Sequence, residues 1–178
     1  NRIRLRPRAF SVAGPHGAYQ YYTLTSHQDI KDSYIYTPPS TPGIVKIIPL
    51  LKSGELPSQE ILEKIKEKLA DDVRPLTDKI EIEKPKVQPY NIDIKYWTKK
   101  GDNPILVKKE VEAAFSEYIY WQKEKLGRDI NPNKLTQLLI LAGAKRVEIT
   151  SPIFQKIERD TVAKELTKSL KYIGEEDE

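Results

Sequence analysis

Apolar and polar positions change period several times along the chain, and each change marks an element. Arg2-Ile3-Arg4-Leu5-Arg6 alternates strictly, as a short strand or an extended arm does. Pro15 suits the first turn of a helix, where its missing N–H costs nothing. Ala18, Tyr22 and Thr25 follow at helical spacing and predict a helix that ends near His27. Those three share one face, with Tyr21 and Leu24 beside it. Lys31 to Thr37 then reads as a strand, the Pro38–Gly43 cluster as a turn, and Ile44 to Leu51 as a second strand of a hairpin. Pro49 cannot donate to a ladder, which predicts an edge position or a bulge for that strand. Ser58 is placed to cap a helix whose buried face is Ile61, Leu62, Ile65 and Leu69, ending near Ala70. Lys79 to Glu83 alternates as a further strand.

Pro85 and Pro89 punctuate the chain, and a boundary is expected near Lys86. Beyond it, Ile92, Ile94 and Tyr96 alternate with Asp93, Lys95 and Trp97 in a half-buried strand over Asn91–Thr98. Asn103-Pro104 places a capping side chain before a first-turn proline. Val107, Val111, Ala114, Phe115, Tyr118, Ile119 and Gln122 trace one face of the helix that follows, with Gly127 expected to end it. Asn131-Pro132 repeats the device for a helix with Leu135, Leu138 and Leu139 inward and Gly143 at its end. Arg146 to Thr150 and Leu166 to Ile173 read as strands, followed by an extended acidic tail. The fold class is therefore α+β: two small two-layer helix/sheet domains in tandem, residues 1–86 with an N-terminal arm and 87–178 with the tail.

Charge changes this picture less than its total suggests. The formal net charge is +4, and Arg2, Arg4, Arg6 and Arg8 supply it; Glu175, Glu176, Asp177 and Glu178 oppose them at the other end. Between the ends the signs alternate, as on a solvated surface, whereas a nucleic-acid stripe clusters its positive charge on one face. The alternative reading, a nucleic-acid-binding α+β module using the basic N-terminal arm, rests on those four arginines alone. No apolar run approaches the roughly 18 residues of a membrane span. There is no cysteine, so neither a disulfide nor a thiolate metal site can form. With no methionine in the sequence, a fragment or missing upstream residues are expected.

Reaction chemistry finds little to stand on. The histidines are His16 and His27, without a carboxylate at metal-ligand spacing, and no Gly-x-Ser-x-Gly, Ser-x-x-Lys or phosphate-loop pattern occurs. Small residues at Ala13, Gly14, Gly17 and Ala18 fit a helix end lying close against another backbone. Arg74 and Asp78 bracket Pro75 in a tight corner where they could form an ion pair. Tyr19, Tyr118, Tyr120 and Trp121 cannot all point inward, and exposed tyrosine or tryptophan suits protein contacts.

The wording Ala13-Gly14-Pro15-x-Gly17-Ala18-Tyr19, preceded by Arg6-Pro7-x-Ala9-Phe10-Ser11, resembles the baseplate J-like family. Those proteins are baseplate wedge subunits of contractile phage tails and related injection machines. The corner Arg74-Pro75-Leu76-Thr77-Asp78, the Pro89-Tyr90 entry to a strand and the Leu126-Gly127-Arg128-Asp129-Ile130 link are similar to family motifs. So are Ala144-Lys145-Arg146-Val147 with Ser151-Pro152, and the stretch from Thr161-Val162-Ala163 to Tyr172-Ile173-Gly174. The matches are in order and spread over nearly the whole chain.

The resemblance implies the central and C-terminal domains of a longer wedge protein. It implies a structural role in the tail baseplate of a virion, assembled in the bacterial cytoplasm, with no catalysis, cofactor or metal. The implied partners are other baseplate wedge and hub proteins, and further copies of the chain in a ring, with no membrane. Ala13, Gly14, Pro15, Gly17, Ala18, Tyr19, Arg74, Pro75 and Asp78 are the expected structural or interface residues. Arg2, Arg4, Arg6, Arg8, Glu175, Glu176, Asp177 and Glu178 are the expected electrostatic contacts.

Overall fold

The computed structural model describes residues 16–69 and 78–177. Two compact α+β units make up the chain: the first runs to Lys86 and takes in Glu124–Leu126, and the second holds Val87–Lys123 and Gly127–Glu178.

In the first unit, α1 (His16–Ser26) leads into β1 (Ile30–Tyr36) and β2 (Ile44–Leu51), then α2 (Gln59–Lys68) and β3 (Lys79–Ile82). β1 and β2 are antiparallel; β2 and β3 are parallel, so the chain between them must cross over, and α2 lies on that crossover. Ser58 Oγ accepts from the Ile61 N–H at 3.4 Å and caps α2. Tyr19 and Leu24 of α1 and Leu62 and Ile65 of α2 pack with Ile35, Val45 and Ile47 of the sheet.

Two expectations change here. The buried face of α1 is Gly17, Ala18, Tyr19, Thr23 and Leu24, so of the Ala18–Tyr22–Thr25 line only Ala18 is fully buried. Thr25 instead donates its hydroxyl to Tyr21 O at 2.9 Å. The second correction concerns Pro49: β2 is the middle strand of three, not an edge. Gly43 and Ile47 carbonyls accept from the Lys79 and Glu83 N–H groups at 2.8 and 3.0 Å, so alternate peptide groups of β2 point at β3. Pro49 is the next in that series, and the pairing with β3 has already ended at Ile47. The missing donor faces a stretch with no ladder to break.

The second unit comprises β4 (Lys86–Lys99), α3 (Pro104–Lys123), α4 (Pro132–Leu141), β5 (Arg146–Ser151) and β6 (Thr161–Glu176). Its sheet has the order β5-β4-β6, with β5 antiparallel to β4. Contacts between β4 and β6 advance together: Asn91 with Thr167 at 2.8 Å, Thr98 with Tyr172 at 3.3 Å, Lys100 N–H with Glu176 O at 3.0 Å. The two strands therefore run parallel. Tyr90, Ile92, Ile94 and Tyr96 alternate into a core closed by Val111, Phe115, Tyr118 and Ile119 of α3 and Leu135 and Leu139 of α4. Asn103 Oδ1 accepts from Ile105 and Leu106 N–H, and Asn131 Oδ1 from Asn133 N–H, so both Asn-Pro pairs cap as expected. Burial pushes the Tyr118 phenol up to about 12.

Boundaries differ from expectation at three places. β4 begins at Lys86 and contains Pro89, which precedes the first residue paired with β5, Asp93. α3 ends at Lys123, short of Gly127. Gly127 has φ +63° and brings its backbone against Arg159, whose Cα would lie 2.9 Å from an added Cβ. β6 starts at Thr161 and continues through Glu176, so the expected extended acidic tail is in large part the last strand of the sheet.

Candidate functional site

α1 enters the first unit through His16, whose Nδ1 lies 3.1 Å from the Ile35 carbonyl of β1. One turn on, Tyr19 is buried to 2 % exposure with Ala18 beside it. Its phenol donates to Asp78 Oδ2 at 2.6 Å. Asp78 immediately precedes β3, so one hydrogen bond joins the first turn of α1 to the last strand of the sheet. The two expected motifs thus meet at their described members, Tyr19 from one and Asp78 from the other. Ala13, Gly14, Pro15, Arg74 and Pro75 lie outside the described residues, and with them the expected Arg74–Asp78 pair. Gly17 and Ala18 are buried within the α1 packing face.

The acidic end is organised by a residue that the sequence did not single out by itself. Arg146, which opens β5, sets its guanidinium 3.5 Å from the Trp97 ring centroid. Its Nε lies 3.1 Å from both Glu176 carboxylate oxygens, Nη2 lies 2.5 Å from Oε1, and Nη1 donates to Glu148. That hydrogen bonding holds the Glu176 carboxyl below its ordinary range and pushes the Arg146 guanidinium up. Lys100 Nζ lies 3.2 Å from Asp177 Oδ1. Glu175 is exposed on β6. Arg2, Arg4, Arg6, Arg8 and Glu178 lie outside the described residues. A register match of Trp97 with Arg146 was the only signal available, and it needs the strand pairing to be known.

The surface aromatics sort as their helix positions dictate. Tyr118 is fully buried, whereas Tyr120 is 45 % exposed. Trp121 is half-buried beneath the Arg128 guanidinium, which also donates to the Trp121 carbonyl. His27 Nδ1 accepts from the Asp29 N–H at 3.3 Å, a local turn contact. Among the described residues no group of three or more His, Cys, Asp or Glu side chains could hold a metal ion. No helix among them is long and apolar enough to cross a membrane.

What these features build is a pair of clasps, one tying α1 to β3 and one tying β5 to β6. The chain is 27 % identical over 179 residues to "Baseplate protein J" of Escherichia phage P2, covering 99 % of this chain and 58 % of that protein. The chain thus spans little more than half the length of that relative. Its fold is similar to that of a chain in the cryo-EM structure of the anti-feeding prophage baseplate, six-fold symmetrised. That likeness has a TM-score of 0.63 at 11 % identity and covers 92 % of this chain and 40 % of that one. Residues 11–84 match the family described as the Baseplate J-like central domain. Over residues 11–84 the chain is thus similar to the baseplate J-like central domain, and along nearly its whole length to Baseplate protein J.

Proposed function

We propose that the chain is a structural subunit of a contractile-tail baseplate, a J-like wedge protein that docks with neighbouring baseplate proteins during tail assembly. The observation that carries this reading is the likeness to Baseplate protein J along 99 % of the chain, through both units rather than one. Residues 1–86 correspond in this reading to a central domain and 87–178 to a C-terminal domain. Partners are other wedge and hub proteins and further copies in a ring. The setting is the virion baseplate, assembled in the bacterial cytoplasm.

The side chains serve shape and docking. Ala13–Tyr19 and Arg74–Asp78 act together as one clasp, and the Arg2–Arg8 segment steers docking toward carboxylates not already committed within the fold. A ring that rearranges on tail contraction needs contacts that are polar and have two alternative arrangements, with no single apolar seal. Exposed ion pairs serve that end, since each contributes little stability and mainly sets orientation and encounter rate.

The reading is tested by co-expressing the chain with the neighbouring wedge and hub proteins of its own tail gene cluster and purifying through one of them. Co-purification in a defined ratio is expected. If the chain stays behind as a free species with every candidate neighbour, the docking role is wrong.

A further inference from the structure

We propose that β4, α3 and β6 of the second unit enclose a buried hydration site. In it the Tyr90 and Tyr118 phenols, the Glu165 carboxylate and the Gln122 amide oxygen hold one water molecule. Six buried side-chain polar atoms among the described residues have no hydrogen-bond partner in the protein. Two of them, on Thr23 and Ser33, belong to the first unit. The other four are Tyr90 Oη, Tyr118 Oη, Gln122 Oε1 and Glu165 Oε2, all in the second. Buried polar groups are almost always paired, with protein or with ordered water, so four orphans in one core call for a common partner.

Topology brings the four together. Tyr118 and Gln122 are one turn apart on α3 and share its buried face. Gln122 Nε2 donates to the Arg128 and Asp129 carbonyls at 2.9 and 3.4 Å, which pins the amide and turns Oε1 the other way. The next residue, Lys123, reaches across to β6, its Nζ 3.3 Å from Glu165 Oε1. On β4, Asn91 meets Thr167 at 2.8 Å, so Tyr90 lies beside the Glu165–Leu166 stretch of β6. Tyr90 and Tyr118 belong to one core cluster. Burial pushes the Tyr90 phenol up, and Tyr118 and Glu165 push it further, so both lie within electrostatic reach of it.

Polar groups that feel one another yet stand beyond hydrogen-bond distance are what a bridging water joins. The donor count selects water over an ion. Both phenols are held neutral and donate, whereas Gln122 Oε1 and Glu165 Oε2 accept. A water molecule accepts two hydrogen bonds and donates two, and so meets all four atoms. A cation would sit against the phenol protons, and an anion against the Glu165 carboxylate. Lys123 and Glu165, with side chains 19 % and 17 % exposed, form the side of the site nearest solvent. One molecule thereby ties a helix to two neighbouring strands.

Oxygen-17 relaxation dispersion of the whole chain, which registers only waters held longer than the protein tumbles, tests this together with a high-resolution crystal structure. The parent is expected to hold a long-lived water that Tyr90→Phe/Tyr118→Phe lacks, with circular dichroism establishing that the variant folds. The parent crystal should show one oxygen within hydrogen-bond distance of both phenols and Glu165. A phenol bonded directly to Glu165 with nothing between them would overturn the proposal. So would equal counts of long-lived water in the parent and the folded variant. A site that gives an anomalous peak after rubidium soaking holds a cation, and that result also overturns it. Should the double variant fail to fold, the density in the parent crystal decides alone.

Discussion

Tyr19 and Asp78 are 59 residues apart in sequence and joined by a hydrogen bond of 2.6 Å, phenol to carboxylate. The bond fastens the helix that opens the first unit to the strand that closes it. Its acceptor is charged and its donor almost fully buried, so the contact is stronger than an exposed pair.

Tyr19→Phe keeps the ring in the core and removes only the donor. Urea unfolding should show a loss of about 1–2 kcal/mol, with an unchanged dependence on denaturant concentration. An unaltered midpoint would mean the bond contributes nothing to the fold.

Position along α4 should decide the cost of truncation. Leu135 is fully buried and Leu141 is 76 % exposed on the same helix. Leu135→Ala should destabilise by about 2–5 kcal/mol, and Leu141→Ala by less than about 0.5 kcal/mol. Equal losses in thermal or urea melts would contradict the assigned faces.

How much of this was legible beforehand depends on where the determining contact lies. The faces of α3 and α4 could be read because Asn-Pro fixed each start and apolar residues recur at 3.6-residue spacing against a charged background. α1 offers no such contrast: His-Gly-Ala-Tyr-Gln-Tyr-Tyr-Thr-Leu-Thr-Ser is small or aromatic on every side, so its period does not mark the buried face. The far half of β6 mixes Lys, Tyr, Ile, Gly and Glu, and what holds it in the sheet is a partner strand and Arg146, both remote in sequence. The same holds for the site. Tyr19 and Asp78 were each expected to matter, but their meeting was not legible, because only the tertiary fold brings them near.

Two glycines separate backbone conformation from crowding. Gly127 (φ +63°) and Gly101 (φ +94°) both sit in the left-handed region, but an added Cβ meets Arg159 Cα at 2.9 Å in the first case and open space in the second. Gly101→Ala should cost about 1–2 kcal/mol and Gly127→Ala about 2–4 kcal/mol. Indistinguishable melts for the two variants would deny the close approach at Arg159.

Acid should loosen the clasp on β6. Arg146 hydrogen bonding lowers the Glu176 pKa from the ordinary value of 4.5, so the folded state binds that proton less readily than the unfolded chain. The stabilisation is present above 4.5 and is lost as pH falls through the depressed value. Carboxyl-carbon NMR titration should place Glu176 below the ordinary glutamate value of 4.5, and Arg146→Met should return it to that value. A Glu176 midpoint unmoved by that substitution rules out Arg146 as the cause.

A mechanical part of a tail baseplate, as we propose this chain to be, must be found at one end of the assembled tail. Purified contractile tail particles from cells producing it, labelled with antibody raised against residues 87–178 and imaged by electron microscopy, provide the test. Label is expected at the baseplate end of the tail alone and absent from sheath and tube. Particles that carry no label, from cells where the chain is abundant and free, would contradict it.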